Sequence, residues 1–355
     1  MGRFPLFKYP RVVQEEILRE IDPCILAATS FISTRFKNLL SYVKIQAVSI
    51  TYKVDCEFLA IEVKSDEWSL LIDVGQFQGR YRLRRWKINR IPIESRIMMW
   101  DDFGGRIWYQ CPLRRISEHD ALENLDIHLR SFLRVEKVNV IIRDDVPELL
   151  DFFFWKKSPK SEKIIVDAHE EESNYDGAIQ MTPDHLKFLE ERVPDELHLN
   201  VQTLPNRQYQ IAQPIPSIHL MNLAMIDLPN ILNTGIESIK CQVTENQIEV
   251  INQVIRKWVQ GENQKLECLE LHTEDFMPTR WLLRRGLLTD VERELQPRFS
   301  SEETIQIFGL EPDDTIYEIT RATDGRRAAL VLNDRKIRIL VWTDRRIDEL
   351  QSLRT

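Results

Sequence analysis

Residues 4–40 read FPLFKYPRVVQEEILREIDPCILAATSFISTRFKNLL, and the apolar spacing in this stretch is that of three successive helices. After Pro10, residues Val13, Ile17, Leu18 and Ile21 recur at i, i+4, i+5 and i+8, one face of a helix, with Gln14, Glu15, Arg19 and Glu20 opposite. Asp22-Pro23 stops that helix, because proline disfavours the helical region for the residue before it. The same pair opens a second helix, with Asp as N-cap and Pro at the first helical position. Ile25, Leu26, Ala28, Thr29 and Ile32 continue the second helix, and Ser33 caps a third that carries Phe36, Leu39, Leu40 and Val43. Three short helices in about 40 residues bury little apolar surface by themselves. They need a cover, which is either the rest of the chain or another protein.

Charge separates this unit from the rest of the chain. Residues 1–44 hold seven basic groups against four acids, a balance of +3, while the 355-residue chain carries −8, so the remainder sums to −11. The length allows two or three domains at roughly 100–200 residues each. The 11 glycines are about 3% of the chain, against roughly 7% in ordinary usage, which leaves little material for phosphate-wrapping loops. The five cysteines, Cys24, Cys56, Cys111, Cys241 and Cys268, are scattered with no Cys-x-x-Cys pair, so a reducing compartment is expected. The opening MGRFPLFKYPRVV is too interrupted for a signal-peptide core. Leu6 occupies the position where a myristoylation motif needs Ser or Thr. No apolar run approaches the roughly 20 residues that span a bilayer. The expectation is an intracellular protein, cytoplasmic or nuclear, with neither a membrane nor nucleic acid as partner.

The N-terminal residues resemble an F-box, in the form that opens many nematode F-box proteins. The pattern is carried by Tyr9-Pro10 at the Leu-Pro start, Ile17-Leu18 in the first helix, Asp22-Pro23 at the break, Ile25 to Ser30 in a small apolar second helix, and Ser33-Thr34-Arg35 entering the third. Tyr9 stands where the family has leucine. The resemblance implies docking to a Skp-type adaptor and, through it, to cullin in a ubiquitin ligase. The implied adaptor-binding residues are Leu6, Tyr9, Pro10, Val13, Ile17, Leu18, Ile21, Pro23, Leu26 and Ile32. A helix-in-groove contact would bury this row only when the adaptor arrives. The alternative is that the same row packs on the downstream chain.

Beyond residue 44 the period changes to two. Residues 45–52, 56–63, 68–74 and 81–88 are short, rich in β-branched and aromatic residues, and separated by turn residues, so they read as antiparallel, meandering strands. In the last of these, arginines interleave with Tyr81, Leu83 and Trp86. That alternation is expected to give a solvated strand face with a slip or bulge at Arg84-Arg85 rather than a nucleic-acid surface. From residue 119 to 272 helices (119–133, 144–157, 182–192, 244–260) alternate with strands Lys137–Ile142, Lys163–Val166, Glu196–Asn200, Ser217–Leu220, Ser238–Gln242 and Cys268–His272. Successive strand starts lie 26, 33, 21, 21 and 30 residues apart, close to a leucine-rich-repeat period, although the consensus asparagine and the regular lengths are missing. An irregular repeat or a mixed α/β sheet satisfies the same pattern. Alternation of this kind favours parallel pairing through helical crossovers.

A second resemblance lies in TENQIEVINQVIRKWVQGENQKLECLEL, residues 244–271, which is similar to the type-two F-box-associated domain of the same nematode proteins. Asn252, Trp258, Gly261, Leu266-Glu267 and Leu269 carry it. The closing TIYEITRATDGRRAALVLNDRKIRILVW resembles that domain's final strands, with Asp324-Gly325 and Asn333-Asp334 as tight turns.

Catalytic patterns are thin. The seven histidines, His119, His128, His169, His185, His198, His219 and His272, form no metal-ligand spacing with each other or with cysteine. No nucleophile elbow or P-loop is present. Asp101-Asp102 before Phe103-Gly104-Gly105 reads as a turn. The acids from Asp167 to Asp176 read as a solvated loop rather than a calcium site. The expected class is therefore α+β or α/β, a three-helix F-box (1–44), then a β-rich segment (45–118), then an irregular leucine-rich-repeat-like strand–helix region (119–355). That region includes the F-box-associated domain, about residues 244–345, and ends in an antiparallel hairpin sheet. The expected function is non-enzymatic and without cofactor or metal: a substrate receptor whose outward strand residues meet an unidentified protein. An adaptor-independent scaffold capped by the N-terminal helices is the alternative.

Overall fold

The structure is a computed structural model that describes residues 6–21, 23–55, 58–75, 84–88, 91–100, 104–110, 117–144, 149–157, 160–167, 179–202, 210–221, 234–243, 248–273, 306–311, 314–333 and 335–353. Asp22, the Asp101-Asp102 pair and the acids from Glu170 to Asp176 lie outside this set. The chain divides into two compact units, one of Met1–Ile164 with Ala168–Asn174, the other of Ile165–Asp167 with Tyr175–Thr355.

The first unit begins with the three helices the spacing predicts: α1 (Arg11–Arg19), α2 (Pro23–Ile32) and α3 (Thr34–Val43). Pro10 precedes α1 in an extended conformation, and the Gln14 side-chain amide donates to the Tyr9 carbonyl at 2.6 Å. Ser33 is the N-cap of α3, its hydroxyl accepting from the Phe36 amide at 3.2 Å. The helix ends on Lys44, whose left-handed backbone (φ 52°) turns the chain straight into β1.

Strands β1 (Ile45–Val54), β2 (Phe58–Lys64) and β3 (Ser69–Gly75) form the antiparallel meander that the alternation predicts. The meander then stops. The neighbour of β3 is β6 (Gly104–Gln110), in parallel, and β6 pairs antiparallel with β5 (Ile91–Trp100), which pairs with β4 (Arg84–Ile88). Both β5 and β6 escape the sequence reading, because Pro92, Glu94 and Arg96 break the apolar alternation of one and Gly104-Gly105 opens the other. The expected bulge at Arg84-Arg85 is also corrected. The two residues face Ser95 and Glu94 in unbroken register at the start of β4, and residues 81–83 are outside the described set.

Helix α4 (Glu118–Arg130) is capped by Ser117, which accepts from the Asp120 amide at 3.0 Å. Its acids at the first turn and Arg130 at the last suit the helix dipole. It buries Ala121, Leu122, Leu125 and Leu129 against the sheet and leads to β7 (Leu133–Ile142), parallel to β1. Within the helix expected over 144–157, residues 145–148 lie outside the described set, and the described part is a single turn at Leu149–Asp151, a break at Phe152 and then α5 (Phe153–Lys157). There the indole of Trp155 donates to the Leu149 carbonyl at 2.7 Å. A buried polar knot joins these elements: the Tyr52 hydroxyl and Arg130 Nε donate to Asp126 Oδ1 at 2.6 and 2.7 Å, Arg130 Nη2 donates to the Tyr52 oxygen at 2.9 Å, and Lys157 Nζ lies 3.4 Å from Oδ2. Burial, then the Asp126 charge, raises the Tyr52 phenol above its ordinary range, so it acts as a donor.

Strand β8 (Lys163–Val166) leads into the second unit. There β9 (Ile179–Gln180), α6 (Pro183–Glu190), β10 (Glu196–Leu199), β11 (Val201–Gln202), β12 (Ser217–Leu220), β13 (Ser238–Val243), α7 (Ile248–Gln260) and β14 (Cys268–Thr273) come in order along the chain. β9 and β11 form a small parallel pair of their own. β10, β12, β13 and β14 run parallel, in register, as the strand–helix alternation predicts. The far edge of β14 is antiparallel to β17 (Lys336–Val341), which pairs with β16 (Arg327–Asn333), and β16 with β15 (Thr315–Thr320). The result is a mixed sheet; helix α8 (Asp344–Leu353) closes the chain.

The two segments of the second resemblance meet here. Helix α7 buries Ile251, Val254, Ile255 and Trp258 and stops at Gly261, whose φ of 94° is a glycine conformation. The β15–β16 turn sits against that stop: Ala322 N donates to the Val259 carbonyl at 2.7 Å, and a Cβ on Gly261 would lie 2.3 Å from Thr323. Arg321 is 1% exposed. Its guanidinium grips both Asp324 oxygens at 2.9 and 2.6 Å, donates to the Asn263 carbonyl at 2.8 Å, and lies 5.4 Å from the Trp258 ring centre.

Candidate functional site

These elements build two surfaces, one in each unit. On the helical face of the first unit, exposure divides the sequence-derived row. Tyr9 and Val13 are each 40% exposed, and Pro10 is exposed beside them. Leu6, Ile17 and Ile21 are half-buried. Leu18 and Leu26, at 0% and 2%, lie in the interior, so they leave the accessible row. The reason for Leu18 is angular: at about 100° per residue it sits about 140° round the helix from Val13, whereas Ile17 and Ile21 sit within about 80°. The side chains of Pro23 and Ile32 are outside the described set. Six of the ten large apolar side chains that stand exposed among the described residues (Phe7, Tyr9, Val12, Val13, Ile25 and Tyr42) fall in this short stretch, which makes it the apolar patch of the unit.

Behind the patch the helices are built into the core. Ser30 shares a 2.8 Å hydrogen bond with Nε2 of His128 on α4, and the Phe31 ring stacks on the same imidazole at 4.6 Å between centroids. Burial, with a smaller contribution from the Lys37 charge, pulls the His128 pKa down to about 3, so the imidazole is neutral here. Lys44 Nζ donates to the Ser131 carbonyl at 3.1 Å.

In the second unit the parallel strands alternate half-buried with buried positions. Leu197, Leu199, Ile218, Leu220, Ile239, Cys241, Leu269 and Leu271 point inward. The alternate positions hold a polar row in register across five strands: His198, His219, Lys240, Glu270 and Arg338. The His198 and His219 rings meet edge to face at 5.0 Å, and His198 Nε2 is 3.4 Å from Glu196. Glu270 takes a 2.8 Å hydrogen bond from His272 and lies 3.5 Å from Lys240 Nζ. That hydrogen bond first, then the neighbouring cations, holds the Glu270 carboxyl at about 2. Burial, with Lys240 and His272 nearby, lowers the His219 pKa. At the end of the row Arg338 is paired with the buried Asp314 and donates to the Gly309 carbonyl.

The sequence reading places the strands of this face but not the connections. The outward positions of ELHL, SIHL and CLELH are legible from alternation; the Arg338–Asp314 pair is not, because it joins a strand to a segment 24 residues away. Among the described residues no group of three or more His, Cys, Asp or Glu is gathered as a metal ion would require, and no helix is long and apolar enough to cross a membrane.

No curated protein and no solved structure matches the chain. A family model described as F-box associated matches residues 208–271, the span that holds β12, β13, α7 and most of β14.

Proposed function

We propose that the chain is the substrate-recognition subunit of a Skp–cullin–F-box ubiquitin ligase. The observation that carries this reading is the F-box associated match over residues 208–271, a substrate-binding rather than a catalytic family. The N-terminal patch around Tyr9, Pro10, Val13 and Ile17 takes the Skp-type adaptor and, through it, cullin. The polar row His198, His219, Lys240 and Glu270 on the parallel strands of the second unit takes the substrate. The contribution to catalysis is geometric: a tethered substrate meets the ubiquitin carrier in a nearly intramolecular encounter. Co-purification of the full chain with a Skp-type adaptor tests the proposal. The variant Tyr9→Ala with Val13→Asp keeps the buried residues and is expected to lose the adaptor. A wild-type chain that never associates would sink the assignment.

A second reading, an adaptor-independent interaction scaffold, is favoured by the Ser30–His128 and Phe31–His128 contacts, which make the helices part of the first unit's interior. It predicts adaptor binding in neither protein and a loss of cooperative melting when residues 1–44 are removed.

A further inference from the structure

The helical patch is basic as well as apolar, and its cations are held in particular places. The Arg35 guanidinium lies 4.2 Å from the centre of the Phe7 ring, and that of Arg11 3.7 Å from the Tyr42 ring. Stacking on a ring face fixes a guanidinium while leaving its N–H edges open to a partner. The carboxylates of α1 are already committed to their own helix, Glu15 to Arg11 at 2.9 Å and Glu16 to Arg19 at 2.7 Å. Lys8 and Arg35 have no carboxylate partner among the described residues, and both are exposed. They flank Phe7 and Tyr9, 37% and 40% exposed, in the single turn at Leu6–Lys8 and the first turn of α3. The +3 balance of residues 1–44 within a chain of −8 places this cationic, aromatic spot on an otherwise acidic protein.

We infer that the surface formed by Phe7, Lys8, Tyr9 and Arg35 receives an acidic protein surface. This inference rests on the adaptor reading above and deepens it: the adaptor brings carboxylates to Lys8 and Arg35 while its apolar groups cover Tyr9 and Val13. Charge complementarity of this sort acts mainly on encounter rate and register, whereas the apolar contacts govern how long the complex lasts. The adaptor complex therefore has two separable components, one screened by salt and one not.

The test is association of the full chain with purified Skp-type adaptor, measured from about 0.05 M to about 0.5 M salt. Lys8→Glu and Arg35→Glu are each expected to weaken binding about fivefold and to flatten the salt dependence. Lys64→Glu, on β2 and outside the patch, serves as the control for net charge. If wild type binds but neither salt nor the two reversals change it more than the control does, the inference is overturned while the adaptor reading stands. If wild type never binds, both fall. A parallel titration with single-stranded RNA and with anionic vesicles is expected to show no binding that depends on Lys8 and Arg35; binding of either with that dependence assigns the patch to a different occupant and overturns the inference.

Discussion

Replacing Gly261 with alanine should damage the second unit through two separable effects. The first is conformational: at φ 94° an L-residue is strained, at a cost of about 1–3 kcal/mol. The second is steric, since the new Cβ would stand 2.3 Å from both Cγ2 and Oγ1 of Thr323 and 2.8 Å from its Cβ. Relieving that contact means moving the β15–β16 turn, which Arg321 and the Ala322–Val259 hydrogen bond hold in place, and overpacking of this kind costs about 1–3 kcal/mol. The expected loss is about 2–6 kcal/mol, large beside the 5–15 kcal/mol typical of a folded domain. Urea unfolding of the full chain, followed by tryptophan fluorescence because Trp258 lies beneath the turn, measures it. Thr323→Gly in the Gly261→Ala background removes the clashing atoms, so it should recover the steric part and leave the conformational part. Gly261→Asn tests the other half, because asparagine tolerates positive φ better than alanine. If Gly261→Ala costs under about 1 kcal/mol, or Thr323→Gly recovers nothing in the double variant, the proposed seating of the turn on the end of α7 is wrong.

The first unit yields three further outcomes. Asp126→Ala leaves the half-buried Arg130 without its carboxylate, while Lys157 keeps Glu123 at 3.2 Å, so stability should fall by about 3 kcal/mol in chemical denaturation, with the salt-bridge-free Asp126→Asn costing less. The His128 pKa of about 3 lies below the unfolded value near 6.5, so the folded state binds fewer protons between those limits. Stability is then full above about pH 6.5 and declines as pH falls towards 3, by about 2 kcal/mol at pH 5, and His128→Asn should remove that slope when unfolding midpoints at pH 7 and pH 5 are compared. Leu18→Asp should unfold the helical set by burying a carboxylate, whereas Val13→Asp should change melting by no more than about 0.5 kcal/mol; equal effects would refute the division of the row into inner and outer faces.

Local signals account for most of what the sequence reveals. Ser33 capping α3 and the alternation in SIHL and CLELH each depend on neighbours within a few residues and appear where the spacing puts them, whereas Asp324-Gly325 ends a four-residue loop, residues 322–325, rather than forming the expected two-residue tight turn. The misses share a different cause. Strand β6 sits in parallel beside β3, from which it is some 35 residues distant along the chain, and nothing within either segment encodes that neighbour. Leu18 reads as part of an exposed row because a 3.6-residue period marks apolar positions without saying which flank turns inward. On the candidate face, the histidines and Lys240 are visible as outward positions, but their shared rung across five strands depends on a register set by the inward leucines and isoleucines of separate segments.

A single residue, Lys44, separates α3 from β1, and its left-handed backbone is stitched on one side to Leu40 and on the other, through Ile45, to the Phe132 carbonyl. A joint this short behaves as a crank rather than a tether. Force or rotation applied to the N-terminal helices passes into the first strand without a slack segment to absorb it. A partner gripping those helices therefore fixes the pose of the first sheet as well, and inserting a flexible Gly-Ser run after Lys44 would convert a fixed angle into a distribution of angles while leaving every contact residue in place.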